Sequence, residues 1–205
     1  MAGRVGPSGQ VHAVDVNEEF LRRTAAKASD EGYGDRVSTH LLEDHRAPLA
    51  DGSVDRVLAK NVLEYVPSAA DVLAECFRVT APGGRMTATD SDWDFLIIQP
   101  WSVEEQREFF AAGAHAFKEP NIGRKLRALM LDVGFVDIDV SVHTAIDTRG
   151  GLIGVVRNFV GYIAEYETMA PERVLEMLNR LEEAVESGRY LAVLPQFSVT
   201  GLKAG

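Results

Sequence analysis

The chain has 205 residues, enough for one domain with a substantial core, and 46% hydrophobic and 25% charged residues are the proportions of an ordinary globular protein. Its formal charge of −10, from 21 basic and 31 acidic residues, opposes a phosphate backbone, and no cluster of Lys and Arg interleaved with aromatics offsets it, so nucleic acid is not an expected partner. No apolar run is long enough to cross a bilayer and the first ten residues lack a signal-peptide stretch, which makes the expected setting a cytoplasm with no membrane partner.

The single cysteine, Cys76, has no disulfide partner within the chain and falls at helical spacing among Val72, Leu73 and Val79, the pattern of a core thiol. In chain order, Gly9 to Val16 reads as a buried strand ending in Asp15. Asn17 to Glu31 reads as a helix with Phe20, Leu21, Thr24, Ala25 and Ala28 on one face and Asn17 as its cap. Arg36 to Leu42 and Val54 to Val62 are further strands, separated by the polar loop Glu43 to Ser53. Ser68 to Thr80 returns to helical spacing, and Pro82-Gly83-Gly84 is expected to stop that helix before a strand at Arg85 to Thr89. The alternation of strand and helix implies a mostly parallel sheet covered by helices.

From Trp93 onward two helices are expected, Ser102 to Lys118 and Ile122 to Val133, as an insert over about 93–135. Val136 to Val142 alternates strictly, with Val136, Ile138, Val140 and Val142 on one side, as a half-exposed strand at the antiparallel margin of a sheet does. Gly151 to Glu167 and Pro171 to Glu186 read as helices of a second insert, about 149–190. The second of them carries Val174, Leu178, Leu181 and Val185 on one face. The alternation at Phe197 to Thr200 suits a last strand beside the alternating one. No repeat or flexible linker divides the chain, so a single domain over 1–205 is expected.

Asp15 ends a strand and precedes a helix, where a carboxylate can accept both hydroxyls of a ribose; alone it is equally a capping or solvated acid. With it stand the loop Glu43-Asp44-His45-Arg46-Ala47-Pro48-Leu49-Ala50-Asp51-Gly52-Ser53-Val54-Asp55, the run Lys60-Asn61-Val62-Leu63-Glu64-Tyr65-Val66, and Ala81-Pro82-Gly83-Gly84-Arg85. Asp92-Trp93-Asp94, Gly123-Arg124-Lys125-Leu126, Gly134-Phe135 and the stretch from Gly188 to Lys203 follow in the same order. Together these resemble the class I S-adenosylmethionine-dependent methyltransferases, nearest the ubiquinone/menaquinone C-methyltransferases, from Arg4 to about Lys203.

The resemblance implies an α/β, Rossmann-like, mostly parallel sheet with an antiparallel C-terminal strand pair and helical inserts. It implies S-adenosylmethionine as cofactor, with Asp15 on the ribose, Val16 beside the adenine, Asp44 accepting from the adenine amino group and the backbone of His45 facing the ring. Lys60, Asn61 and Val62 fall near the methionine part. Glu43 replaces a usual glycine, and Glu64 stands where many relatives carry His. Trp93 and Arg124 are candidates for the substrate pocket, Arg124 for an anionic acceptor; helix-surface arginine is its plainer reading. His115 is the candidate base, a surface histidine being the plainer reading.

The family's first strand and its glycine-rich turn have no counterpart; Met1 to Gly9 resembles only the end of the helix that follows that turn. A sheet without its middle strand leaves two rows of backbone groups to be re-paired or filled by another chain, at about 1–3 kcal/mol per buried unpaired group. The expectation is a shortened or mis-started chain, a natural repurposed short form being the alternative. No metal is expected, because His12, His40 and His143 lack ligand-spaced partners. The function expected is in-line methyl transfer to a small molecule, by positioning and desolvation, with a homodimer left open. Its rival is a cofactor-free relative that binds a small molecule or a partner chain.

Overall fold

The structure, a computed structural model, describes residues 1–43 and 46–205, with the side chain of Ala145 also left aside. A helical turn at Ala2–Arg4 leads into β1 (Val11–Asp15). Asn17 then caps α1 (Glu18–Asp30): its side chain accepts from the N–H groups of Glu19 and Phe20, while Glu18 and Glu19 set negative charge at the positive end of the helix dipole. β2 (Val37–Leu41) runs parallel to β1, from Val11 opposite Val37 to Asp15 opposite Leu41. α1 buries Leu21 and Ala28, but Phe20, expected on the same face, is 52% exposed.

β3 (Val54–Lys60) and β4 (Thr80–Ser91) form a second parallel pair, joined by α2 (Ala69–Val79), whose N-terminus is capped by the Ser68 side chain. Pro82-Gly83-Gly84 does not separate helix from strand as the sequence suggested. β4 begins at Thr80, directly after α2, and these three residues take up a register shift against β3, with Gly83 at φ 77°. After β5 (Ile97–Gln99), a three-residue strand not foreseen from the sequence, come α3 (Val103–Gly113), α4 (Ile122–Asp132), β6 (Val136–Asp147), α5 (Ile153–Tyr166), α6 (Pro171–Glu186) and β7 (Leu191–Leu202). β7 pairs antiparallel with β4, β5 and β6.

β6 is the marginal strand the alternation called for, longer than expected and interrupted by a bulge between Val136 and Asp139, where Asp137 adopts φ 50°. The extra residue moves Val136 off the face shared by Ile138, Val140 and Val142. Val140 and Val142 remain 43% and 50% exposed at the sheet margin.

Two apolar clusters hold residues 54–202. One packs α2 and α4 on a face of β3, β4 and β7 through Leu73, Met86, Leu126, Met130 and Val199. Within the stretch 93–135, α4 belongs to the layer covering the sheet. The other cluster joins α3, α5 and α6 through Phe109, Phe159, Ile163, Met177 and Leu181. On α6 the buried face is Val174, Met177, Leu181 and Ala184, rotated slightly from the expected one, with Leu178 and Val185 partly buried.

The opposite face of β4 and β7 carries hydroxyls, Thr87 against Thr200 and Thr89 against Ser198, each pair 2.8 Å apart. The sheet itself is in two pieces. β1 pairs only with β2, and β3 only with β4, so β1 and β3 each keep one strand edge without a partner among the described residues. Among those residues, no hydrogen bond, ion pair or aromatic contact links 1–42 to 46–205, and neither apolar cluster draws on 1–42.

Candidate functional site

Ligands of parallel α/β sheets bind beyond the carboxyl ends of the strands. Asp15 is the last residue of β1, Lys60 the last of β3, and Asp90 and Ser91 the last two of β4, so most of the expected cofactor residues lie at or just past such ends. Asp15 is half-buried, and its Oδ1 accepts the N–H of Asn17 at 2.9 Å. Val16 is 71% exposed. Asp44 and His45 lie outside the described residues.

At the end of β3, Asn61 adopts a left-handed conformation, φ 53°, which asparagine tolerates better than most residues. Its N–H donates to the Thr89 carbonyl at 2.9 Å, and its Oδ1 accepts from Gln196, whose amide also reaches Ser91 at 3.0 Å. The turn leaves Lys60 and Val62 at the surface and directs Leu63 and Glu64 inward, where both are buried.

There Glu64 meets Asp90. Asp90 is fully buried; one of its oxygens accepts the Leu63 N–H at 3.3 Å, and the other, Oδ1, has no hydrogen-bond partner among the described residues. Burial, reinforced by the charge of Glu64, pushes the Asp90 carboxyl up to about 7. Burial also raises Glu64, opposed by the Trp93 indole N–H that donates to its Oε2 at 2.8 Å. The Tyr65 phenol is raised as well, by burial and by Glu64. The Glu64 carbonyl accepts from the N–H groups of Lys118 and Glu119, which ties this turn to the segment before α4. Sequence reading singled out Trp93 but not the carboxylate pair beside it. An acid closing an otherwise uncharged strand, Met86 to Thr89, was the available signal.

Trp93 is a wall of the aromatic cluster, its ring 5.0 Å from Phe159 and 5.1 Å from Phe117, with Tyr65 stacked on Phe117. Arg124 is engaged: it pairs with buried Asp92, reaches Asp94 at 3.0 Å and lies over the Phe95 ring. Burial, which favours the protonated acid, is outweighed at Asp92 by Arg124 and Asn121, and its carboxyl is held low. With two carboxylates already on it, the guanidinium has little charge left for an anionic acceptor. His115 is exposed and stacks on Tyr166 at 5.4 Å, apart from the carboxylate pair in its contacts. Among the described residues no group of three His, Cys, Asp or Glu side chains is placed to hold a metal, and Cys76 is a half-buried thiol pushed up to about 12 by burial.

These residues fit S-adenosylmethionine in part. Asp15, half-open at a strand end, suits a ribose, and exposed Lys60 at the next end suits a carboxylate. The methionine half needs a backbone cradle that no side chain obstructs, and no glycine stands at the carboxyl end of β1 or β3 to provide one. No hydrogen bond, ion pair or aromatic contact among the described residues joins Asp15 and Val16 to the Lys60–Val62 turn.

Comparison with known proteins accords with the geometry. Residues 1–88 match the methyltransferase domain family. The chain is 30% identical over 206 residues to an uncharacterized 37.1 kDa protein in transposon TN4556 of Streptomyces fradiae; that match takes in 100% of this chain and 54% of the relative, so the chain spans about half of that protein's length. It is 29% identical over 227 residues to nocamycin O-methyltransferase of Saccharothrix syringae, covering 98% of this chain and 79% of that one. With the ubiquinone/menaquinone biosynthesis C-methyltransferase UbiE of Yersinia enterocolitica it shares 25% identity over 172 residues, 76% of this chain and 66% of that one. The solved structure of the YcgJ protein from Bacillus subtilis superposes with a TM-score of 0.60 at 14% identity, over 96% of this chain and 83% of that one, a likeness of fold. Residues 1–88 thus carry the likeness to the methyltransferase domain family, and the fold of the chain is that of its solved structural neighbours.

Proposed function

We propose that this chain serves S-adenosylmethionine-dependent methyl transfer to a small-molecule acceptor, as one methyltransferase-like domain across residues 1–205. The observation that carries the reading is that Asp15, Lys60–Val62 and the Glu64–Asp90–Trp93 group each stand at the carboxyl end of a parallel strand. In this reading Asp15 holds the ribose, Val16 lies beside the adenine, and Lys60, Asn61 and Val62 face the methionine part. Asp44 and the His45 backbone take the adenine edge. The cofactor supplies an activated methyl group; the chain's own part is to position the acceptor and exclude water. The aromatic wall of Trp93, Phe117 and Phe159 supports an acceptor with apolar or aromatic surface.

Calorimetric titration of the 205-residue chain with S-adenosylhomocysteine tests this, beside Asp15→Ala and a version extended upstream by a strand and a glycine-rich turn. Binding that Asp15→Ala weakens by at least about tenfold supports the ribose role, the loss of a charge-assisted bidentate contact being worth about 1.5–3 kcal/mol. Binding in neither the chain nor its extended version overturns the reading. That outcome would favour a cofactor-free protein, the second reading, which the partnerless edges of β1 and β3 recommend.

A further inference from the structure

His12 and His40 are 28 positions apart in the chain, too far for a ligand spacing to show in the sequence, and strand register brings them together. In the parallel β1–β2 pair His12 stands opposite Ser38 and Val14 opposite His40, so the two histidines are diagonal neighbours. Residues two apart on a strand share a face, which points both side chains the same way. There the imidazoles meet: His12 Nδ1 lies 2.9 Å from His40 Nε2, with ring centroids 5.1 Å apart. His12 is exposed and His40 half-buried, and among the described residues neither ring makes another side-chain hydrogen bond or an ion pair. A hydrogen bond between two neutral rings contributes about 0.5–1.5 kcal/mol at best, and the rings repel once both are protonated. Stability alone does not call for this pairing.

We infer that His12 Nδ1 and His40 Nε2 form a two-nitrogen site for a divalent transition-metal cation of the Cu²⁺ or Ni²⁺ class. A neutral imidazole binds such ions through a ring nitrogen at about 2 Å, so two nitrogens at right angles around one cation stand roughly 2.9 Å apart, whereas a tetrahedral angle needs roughly 3.3 Å. The observed 2.9 Å is the separation of adjacent corners of a tetragonal site, the geometry that Cu²⁺ and Ni²⁺ prefer and structural Zn²⁺ does not. The ring that donates in the present hydrogen bond takes its proton on its other nitrogen, by exchange with solvent, so both rings stay neutral as their lone pairs turn to the cation. Exposed His12 has room to turn. The pair includes no carboxylate, so water fills the remaining positions, and oxygen-seeking ions such as Mg²⁺ and Ca²⁺ find no ligand in it. The formal charge of −10 favours the approach of a cation. Once bound, the ion ties β1 to β2 across 28 positions of chain and stabilises the 1–42 unit by mass action. Alternation puts His12 and Asp15 on opposite faces of β1, so the site is independent of the proposed ribose contact.

The test is calorimetric titration of the chelator-treated 205-residue chain with NiCl₂, CuCl₂, ZnCl₂ and MgCl₂ in a non-coordinating buffer. Ni²⁺ and Cu²⁺ should bind, Zn²⁺ more weakly and Mg²⁺ not at all. His12→Ala and His40→Ala should each weaken Ni²⁺ binding by about tenfold or more, because each removes one of two linked ligands, while His115→Ala and His143→Ala leave it unchanged. Ni²⁺ is the deciding probe, since Cu²⁺ also takes a chain's terminal amine. A second measurement needs no variant and so does not depend on any variant folding: substoichiometric Cu²⁺ should broaden the imidazole proton resonances of His12 and His40 before those of His115 and His143. Absence of Ni²⁺ binding, or Ni²⁺ binding that both single variants leave intact, would overturn the site and reduce the pair to a hydrogen bond. Broadening of His115 or His143 first would move the cation elsewhere, and Zn²⁺ bound more tightly than Ni²⁺ would overturn the tetragonal class. No cofactor enters these titrations, so failure to bind S-adenosylhomocysteine leaves their result intact.

Discussion

At the scale of the residue, the consequential group is Asp90. In an unfolded chain its carboxyl ionises near 3.9, whereas in the fold, desolvated and beside Glu64, it keeps its proton to about 7. The folded state therefore binds the extra proton, so the stability tied to this group is intact below about pH 4 and is lost as the pH climbs to about 7. Asp90→Asn keeps an oxygen for the Leu63 N–H and removes the charge. It should stabilise the protein by up to about 4 kcal/mol at pH 8 and by about 1.5 kcal/mol at pH 5, read by urea unfolding at both values. An equal effect at the two pH values would mean that Asp90 is ionised throughout. A carboxylate kept at such cost beside Trp93 is the reason Asp90 is a candidate for the proposed site.

At the scale of the element, packing decides what propensity leaves open. A Cβ on Gly113, in the last turn of α3, would sit 2.4 Å from the Phe159 ring of α5. Alanine gains up to about 1 kcal/mol of helix propensity there, less than the overpacking of a closed aromatic cluster, about 1–3 kcal/mol. Gly113→Ala should thus lower the thermal midpoint, and an unchanged or raised midpoint would show that α5 moves freely away from α3. Elements were legible in the sequence where chemistry is local: Asn17, Ser68 and Pro171 mark helix starts that the structure reproduces within a residue. What depends on three elements meeting was not. β5 is too short to show a period, the β6 bulge leaves no turn residue to read, and the orphan oxygen of Asp90 exists only because the turn at Leu63 and Glu64, 26 or more positions away, meets the end of β4. Arg124 looked available for the same reason, its partners Asp92 and Asp94 being 30 or more positions away.

At the scale of the whole molecule, the two unequal bodies should differ in persistence. Residues 1–42 fully bury only Ala2, Leu21 and Ala28 among their apolar side chains, whereas the larger body holds two extended clusters. Brief proteolysis under native conditions should cut first within residues 1–43 and leave a fragment from about Ala47 onward, identified by mass spectrometry. Early cuts in α5 or α6 instead would show the smaller body to be the firmer one.

The hydroxyl pairs of β4 and β7 bear on what such a molecule tolerates. A three-layered protein keeps both faces of its central sheet greasy, and stripping one layer leaves a sticky plane that seeks other molecules. Here Thr87 with Thr200, and Thr89 with Ser198, satisfy one another across that plane and meet water without penalty. On β4 and β7 this face is thus polar, and the exposed hydrocarbon beside it is Leu58 of β3, in register with Thr87.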